Sequence, residues 1–160
     1  MKKTLNGAWL FKQNTDNNWM NATVPSCNFL DLMANGVIDD PFLKLNEKDA
    51  EWVGKTDFEY KRTFEVTEEE LASNSVLLCA DMLDTVCDVF INDSFMFSAD
   101  NCFIKYEFEI KKFLKKGENE IAIYFHSPVN WVKDKYKNCM TPINSNGQNG
   151  IVHIRKPQCH

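Results

Sequence analysis

The histidines and acidic residues are the side chains of this chain that could carry out acid–base or metal chemistry. Nucleophilic catalysis needs a nucleophile beside a histidine, and His126, His153 and His160 lie in no recognisable motif. His153, Cys159 and His160 could be combined into a zinc site, but their spacing matches no standard ligand pattern. A glycine-rich phosphate loop is also missing from the sequence. We therefore expect no catalytic centre, no metal and no cofactor in this chain.

The 23 acidic residues leave one hydrolytic chemistry open. Glycoside hydrolysis uses two carboxyl groups that face each other across a cleft. The number of acids does not exclude such a pair, yet nothing in the spacing marks two of them as partners. Which side chains can meet depends on the strands and helices that position them.

Length, composition and charge restrict the class of protein. The chain has 160 residues, 44% hydrophobic and 26% charged, which predicts one globular domain over residues 1–160. Its net charge of −5 and its scattered basic residues argue against a nucleic-acid partner. No apolar run approaches the roughly 18 residues of a membrane span, and polar Thr4, Asn6 and Gly7 interrupt any export signal. We therefore expect a cytoplasmic protein that binds neither nucleic acid nor membrane.

The cysteines are expected to be reduced and mostly buried. They are Cys27, Cys79, Cys87, Cys102, Cys139 and Cys159. An even set would indicate disulfides in a small secreted chain, but a domain of this length needs no such cross-links. Cys79 and Cys87 lie within apolar, strand-like segments, where a thiol packs as a small hydrophobic group.

An antiparallel sheet is predicted at the centre of the fold, within residues 76–128. Residues 86–91 are β-branched and aromatic and end at Asn92-Asp93, a pair that tolerates the backbone of a tight hairpin. Residues 106–111 and 120–125 alternate apolar and polar side chains, which predicts two half-buried strands. Residues 76–80 are apolar on both faces, which predicts a central strand covered by two layers.

Other elements flank this sheet. Alternation predicts further strands at residues 7–11, 22–24, 58–66 and 151–154, and helical spacing predicts a helix at residues 129–138. A short helix is predicted between the possible caps Ser26 or Asn28 and a terminating Gly36. Thr67 is expected to cap a further helical turn.

Two features of the flanking segments have no simple structural role. Residues 37–52 lack a sustained period, and a loop of this length inside a compact domain is usually functional. Its Phe42, Leu45 and Trp52, together with Ile154, are expected to be exposed for contact with neighbouring domains. Arg62 lies on the apolar face of its strand. It either extends past the aromatic residues to water or a carboxylate, or is fixed facing a ligand or another domain.

Many short alternating strands with one or two short helices predict an all-β fold, a two-sheet β-sandwich of the jelly-roll kind. Its core is expected to contain Trp9, Phe58, Tyr60, Phe64, Leu78, Val89, Ile91, Phe108, Ile121, Ile123 and Phe125.

Motifs along nearly the whole chain resemble the N-terminal region of β-mannosidases among the family-two glycoside hydrolases. They are Val24-Pro25-Ser26, Asp31-Leu32, Gly36-Val37-Ile38-Asp39-Asp40-Pro41-Phe42, Asn46-Glu47, Trp52-Val53, Leu83-Asp84-Thr85, Ala99-Asp100-Asn101 with Phe103, Gly117-Glu118-Asn119, Ser127-Pro128-Val129 and Ile154-Arg155-Lys156 with Gln158. Their order and spacing follow the family pattern. The chain departs from that pattern at Ser26, Asn28 and Asp93, where the family usually has Gly, His and Gly.

The resemblance implies a galactose-binding-like jelly roll that precedes an immunoglobulin-like domain and a TIM barrel in a retaining exo-β-mannosidase. In the family the barrel carries both catalytic glutamates, so the resemblance implies no catalytic residue here. The family continues beyond the position of His160 into a Trp-Asp-Trp-Gly segment that this sequence lacks. The carried-over candidates for a β-mannoside pocket or a domain interface are Asn46, Glu47, Trp52, Asp100, Asn101 and Arg155.

Two other functions remain open on the sequence. A free-standing carbohydrate-binding module would need exposed aromatic rings, for which Trp52 and Trp131 are the candidates. The competing interpretation of both rings is burial in the core or at a domain interface. The third possibility is an interaction domain with a purely structural role.

Overall fold

A six-stranded antiparallel sheet forms the larger layer in the computed structural model, which describes residues 2–136 and the side chains up to Lys133. Its strands are β1 (Gly7–Gln13), β2 (Met20–Val24), β3 (Phe58–Val66), β5 (Cys87–Ile91), β6 (Ser94–Ala99) and β8 (Gly117–Phe125), in the order β2-β1-β3-β8-β5-β6. The smaller sheet pairs β4 (Leu77–Ala80) with β7 (Tyr106–Glu109). The predicted strand at residues 151–154 lies outside the described residues.

Four short helices complete the described part of the chain. They are α1 (Asn28–Ala34), α2 (Asn46–Asp49), α3 (Glu68–Ala72) and α4 (Pro128–Tyr136), with 3-10 turns at Val53–Lys55 and Lys111–Phe113. None of the helices within residues 2–136 is long and apolar enough to cross a membrane.

The second layer of the sandwich has two halves. On one side the rings of Phe97 in β6 and Phe108 in β7 stack with their centres 3.8 Å apart, which packs the small sheet on the large one. On the other side the Tyr60 hydroxyl of β3 bonds to Asp31 of α1, so a helix covers the sheet there. These contacts confirm the predicted β-sandwich with short helices.

Strand register brings several loops to one end of the large sheet. Phe58 pairs with Gln13 and with Phe125, while Cys87 pairs with Phe125 and with Ala99. These five residues therefore mark one end of the large sheet. The segments that meet there are those that precede β3 and β5 and those that follow β1, β6 and β8. We call this end the loop end.

Turn chemistry follows the sequence closely. Asn92 and Asp93 have φ of 47° and 63°, as the predicted hairpin requires. Gly36 has φ of 68° and ends the α1 region, since its amide bonds back to the Met33 carbonyl. Thr67 caps α3 in a reciprocal capping box with Glu70. At the other end of α1 the prediction is wrong, because the N-cap is Cys27 and its side chain makes no capping bond.

The core is largely the predicted one. Six of the expected residues are buried, namely Trp9, Phe58, Tyr60, Val89, Ile91 and Ile121. The remaining five are half-buried and pack against that core, namely Phe64, Leu78, Phe108, Ile123 and Phe125. Each of these five side chains therefore contributes to the core while part of it stays in contact with water.

The segment 76–80 is not a central strand. It supplies β4 in the two-stranded sheet, and Leu77 is 54% exposed. Cys79 on the same strand is exposed, as is Cys27, so the expectation of buried thiols is wrong for both. Cys87 and Cys102 are buried as expected, and burial raises the pKa of the Cys87 thiol to about 12.

Arg62 adopts neither predicted arrangement. Its Nη1 donates hydrogen bonds to the backbone carbonyl oxygens of Leu5 and Asn6, at 2.9 and 2.7 Å. The arginine therefore holds the N-terminal segment against β3. A charged donor satisfies two carbonyl groups there, so neither a carboxylate nor a ligand is needed to explain its position.

Candidate functional site

The described candidate residues fall into two groups, while Arg155 lies outside the described residues. Asn46, Glu47 and Trp52 belong to the segment that leads into β3, and Asp100 and Asn101 follow β6. β8 and β5 separate β3 from β6, so three inter-strand steps place the ends of these two strands about 14 Å apart. The loop end therefore holds the two groups at separate places on one side of the domain.

Asn46 shapes the long loop from within. Its Nδ2 donates to the Asp40 carbonyl at 2.9 Å, and the Asp40 carboxylate accepts the Phe42 amide at 2.9 Å. Lys44 has φ of 54°, which turns the chain before α2. Glu47 is exposed on α2. Asn46 thus fixes the loop, and Glu47 is directed to solvent.

The same loop exposes apolar side chains, although Trp52 is not one of them. Phe42 is 96% exposed, and Leu43 and Leu45 are also exposed. Trp52 is half-buried against the core, with its ring centre 6.4 Å from that of Phe58. The expectation of an exposed Trp52 is wrong, since buried Ala50 and Val53 on either side anchor this turn to the core.

Asp100 and Asn101 begin a loop that wraps around the hydroxyl group of Tyr106. That hydroxyl accepts the Asp100 and Asn101 amides at 3.3 and 3.2 Å and donates to the Asn101 carbonyl at 3.2 Å. The Asn101 side chain accepts the Phe103 amide at 2.9 Å, while Cys102 is buried. Asn101 therefore uses its side-chain oxygen to build the loop.

A cluster that the sequence did not reveal links β5, β6 and β8. His126 Nε2 lies 2.8 Å from Asp88 Oδ2, and the Ser98 hydroxyl donates to the other Asp88 oxygen. Burial alone would raise the pKa of Asp88, but the hydrogen bonds from Ser98 and His126 outweigh it and leave that pKa below its usual value. The rings of Tyr124 and Trp131 lie beside the imidazole, with centres 5.0 and 5.1 Å away.

This cluster lacks the arrangement of a nucleophilic triad. In a triad the histidine lies between serine and acid and takes the serine proton. Here Asp88 lies between Ser98 and His126, so the serine hydroxyl donates to the carboxylate and not to the imidazole. The contact depends on the strand register, which the sequence does not reveal: Asp88 pairs with Tyr124, and His126 lies two residues further along the chain.

Asp57 joins the loop before β3 to the start of α4. Its carboxylate accepts the Ser127 amide at 2.6 Å and the Tyr124 hydroxyl at 2.8 Å. The Ser127 hydroxyl donates to the Gly54 carbonyl at 2.7 Å, and Asn130 Nδ2 donates to the Lys55 carbonyl at 2.9 Å. The polar groups here fix α4 on the turn Val53–Lys55.

The buried polar side chains of the described residues are satisfied by hydrogen bonds within the domain. Within residues 2–133 every buried side-chain nitrogen and oxygen has a hydrogen-bond partner. The same residues contain no cluster of three His, Cys, Asp or Glu side chains suited to a metal ion. No buried side-chain nitrogen or oxygen of this part of the chain is left without a partner.

Two grooves on the described part of the chain lie away from the candidate residues. The larger, of about 690 Å³, separates residues 2–6 from β4 and is lined by Val66, Ile110 and Leu114 among others. A smaller groove of about 370 Å³ lies beside Arg62 and Glu118. None of Asn46, Glu47, Trp52, Asp100 and Asn101 lines either groove.

Comparison with known proteins identifies the relatives of this arrangement. The sequence model described as "Glycosyl hydrolase 2 galactose-binding domain-like" matches residues 9–160. Beta-mannosidase B of Emericella nidulans is 32% identical over 98% of this chain and 19% of its own length. The beta-mannosidase of Capra hircus is 28% identical over 98% of this chain and 18% of its own length.

Solved structures agree with the sequence relatives. The crystal structure of Beta-D-Mannosidase from Dictyoglomus thermophilum superimposes with a TM-score of 0.86 at 37% identity, over 89% of this chain and 18% of that chain. An exo-chitosanase of Amycolatopsis orientalis gives a TM-score of 0.69 at 15% identity, over 80% of this chain and 17% of that one, which shows the fold alone. This chain thus spans about a fifth of the length of the curated relatives it matches.

Proposed function

Because the chain belongs to the glycosyl hydrolase 2 galactose-binding domain-like family, we propose that it is the N-terminal, non-catalytic domain of a retaining exo-β-mannosidase. The observation that carries the proposal is the likeness to β-mannosidases over almost the whole chain, in both sequence and structure. The substrate proposed for the whole enzyme is a β-linked mannoside. The other domains of the same polypeptide are its proposed partners.

In this proposal the domain walls the substrate pocket and packs on the catalytic barrel. Exposed Phe42, Leu43 and Leu45 support such packing, because a contiguous apolar surface of this kind normally marks a contact site. The described carboxylates with clear partners support a non-catalytic role. Asp31, Asp57 and Asp88 each bind groups of this domain and hold its layers together.

The experiment that tests the proposal is hydrolysis of an aryl β-mannoside by the polypeptide encoded by the whole reading frame. An aryl β-glucoside is the matched substrate control, since it differs only in the configuration at carbon 2. Preference for the mannoside is the expected result. A polypeptide that folds but hydrolyses neither substrate contradicts the proposal.

A carbohydrate-binding module is the second candidate, and Trp131 is the observation that favours it. Trp131 is 38% exposed and its ring lies beside His126, whereas Trp52 is half-buried against the core. Titration of manno-oligosaccharides into the 160-residue chain, followed by tryptophan fluorescence, separates the two functions. A saturable change that is lost in Trp131→Ala but kept in Trp19→Ala supports the module, and its absence supports the non-catalytic domain.

We also propose that the protein works in the cytoplasm. Exposed, unpaired Cys27 and Cys79 support a reducing compartment, because surface thiols oxidise readily outside it. Fractionation of the source cells with an antibody against this chain tests the proposal. Recovery of the protein outside the cytoplasm would contradict it.

A further inference from the structure

The loop at residues 100–105 directs two large apolar side chains outward from a fixed support. The loop is closed by the three hydrogen bonds of the Tyr106 hydroxyl, by the bond from the Phe103 amide to Asn101, and by buried Cys102. Phe103 and Ile104 nevertheless remain 60% and 46% exposed. Their exposure is therefore set by a loop with satisfied hydrogen bonds.

A third apolar side chain extends this surface. Ala80 pairs with Tyr106 at the end of the small sheet, and Lys105 Nζ lies 3.8 Å from Asp81 Oδ1 just beyond that pair. Met82 follows immediately and is 62% exposed. We call Met82, Phe103 and Ile104 the apolar patch.

Charged groups border the apolar patch. Lys105 also contacts the Glu107 carboxylate at 2.8 Å, so Asp81, Lys105 and Glu107 form a line of charges beside the three apolar side chains. Apolar centres with polar rims are typical of protein interfaces. The composition of this surface thus favours contact with another folded unit.

We propose that the apolar patch is a second docking surface for the remainder of a longer chain of the β-mannosidase kind. The inference rests on the proposed function. Two observations favour that occupant: the patch lies at the loop end, from which α4 leads the chain onward, and the curated relatives are about five times as long as this chain.

The patch adds a contact distinct from that of the long loop. Phe42 belongs to the segment entering β3, whereas Phe103 follows β6, and the ends of these strands are about 14 Å apart. Two separated contacts fix the orientation of a domain where one contact would leave it free to rotate. Because the loop around Tyr106 is already ordered, docking costs little conformational entropy.

Hydroxyl-radical footprinting tests this proposal on two proteins, the 160-residue chain and the polypeptide of the whole reading frame. Methionine oxidises readily, so Met82 is a sensitive probe, and Phe103 reports on the same patch. We expect oxidation of both to fall at least threefold in the longer polypeptide. Leu77 and Phe95 are comparably exposed controls outside the patch, and their oxidation is expected to stay unchanged.

A pair of matched variants provides a second measurement. In the whole polypeptide, Phe103→Ser is expected to lower the melting temperature of this domain or separate its unfolding from that of the rest. Phe95→Ser, which removes a comparably exposed ring elsewhere, is expected to change neither. In the 160-residue chain, Phe103→Ser should leave the melting temperature within about 2 °C, since the ring is not part of the core.

Equal oxidation of Met82 and Phe103 in the two proteins would overturn the proposal. So would protection in the 160-residue chain that grows with its concentration, because the occupant would then be a second copy. Hydrolysis of an aryl β-mannoside by the same sample separates this test from the proposed function. Turnover without protection contradicts the docking surface alone, and protection without turnover contradicts the enzymatic proposal alone. A reading frame with no further folded domain would contradict both.

Discussion

The hydroxyl group of Tyr60 donates a hydrogen bond to Asp31 Oδ2 at 3.0 Å and thereby joins β3 to α1 inside the domain. The other oxygen of Asp31 accepts the Thr23 amide of β2 at 3.1 Å. One buried carboxylate therefore connects three elements on the half of the sandwich that α1 covers. Both donors are neutral groups, a backbone amide and a phenolic hydroxyl.

Removing the Tyr60 hydroxyl should destabilise the domain. Tyr60→Phe deprives the buried Asp31 carboxylate of one donor, which costs about 1–3 kcal/mol of unfolding free energy. Urea denaturation followed by circular dichroism measures the change. Tyr124→Phe is the matched control. Tyr124 is less buried, so removing its hydroxyl group should lower the unfolding free energy by less. Equal losses in both variants would contradict the central role of the Tyr60–Asp31 bond.

Stability should also fall in alkaline solution because of Tyr60. Burial, followed by the nearby Asp31 charge, raises the pKa of Tyr60 well above its ordinary value. The folded state then keeps the phenolic proton while the unfolded state loses it above about pH 10. The stability that this difference in the pKa of Tyr60 gives the folded state is complete below that pH. It is lost as pH rises further. Tyr60→Phe should show a shallower alkaline decline in urea midpoint than the wild type; parallel curves would exclude Tyr60 as the cause.

Asp88 should influence stability at the opposite extreme of pH. Its pKa is lowered in the folded state, since the bonds from Ser98 and His126 outweigh the effect of burial. Asp88 therefore stabilises the folded state above about pH 4, the ordinary pKa range of an aspartate. This stabilisation is lost as pH falls through the pKa of Asp88 in the folded state. Asp88→Asn should flatten this acid limb, whereas Asp93→Asn on the hairpin should not. Thermal melts between pH 2 and 6 provide the measurement.

The loss of unfolding free energy on truncating a core side chain should increase with the burial of that side chain. Ile91 is fully buried, so Ile91→Ala is expected to cost about 2–5 kcal/mol. Ile123 is only half-buried, and Ile123→Ala should fall at or below the lower end of that range. Chemical denaturation of both variants measures the difference. A larger loss at Ile123 would contradict the described packing.

The sequence predicted the large sheet well because its strands are half-buried and alternate visibly. Ile121 and Val89 point to the core, and Asn92-Asp93 forms its hairpin, since local residue types determine both features. The segment 76–80 misled the prediction, because apolar side chains such as Leu77 face a groove and solvent there. Hydrophobicity alone does not distinguish a central strand from an edge strand.

The candidate site was less predictable than the fold. The family resemblance drew attention to Asn46 and Asn101, and the structure assigns their side chains to loop construction. The contact between Asp88 and His126 joins residues 38 positions apart and follows from strand register. Sequence periodicity predicts which face a residue occupies but not which strand lies beside it, so this contact could not be predicted.

The most direct test of the central claim is turnover of an aryl β-mannoside by the pure 160-residue chain, alongside the polypeptide of the whole reading frame. Retaining hydrolysis needs two carboxyl groups held about 5–5.5 Å apart around the sugar, and we assign that pair to the barrel. The account predicts hydrolysis by the longer polypeptide and none by the 160-residue chain at any pH. Turnover by the 160-residue chain that disappears in Glu47→Gln would contradict it and make this domain itself the enzyme.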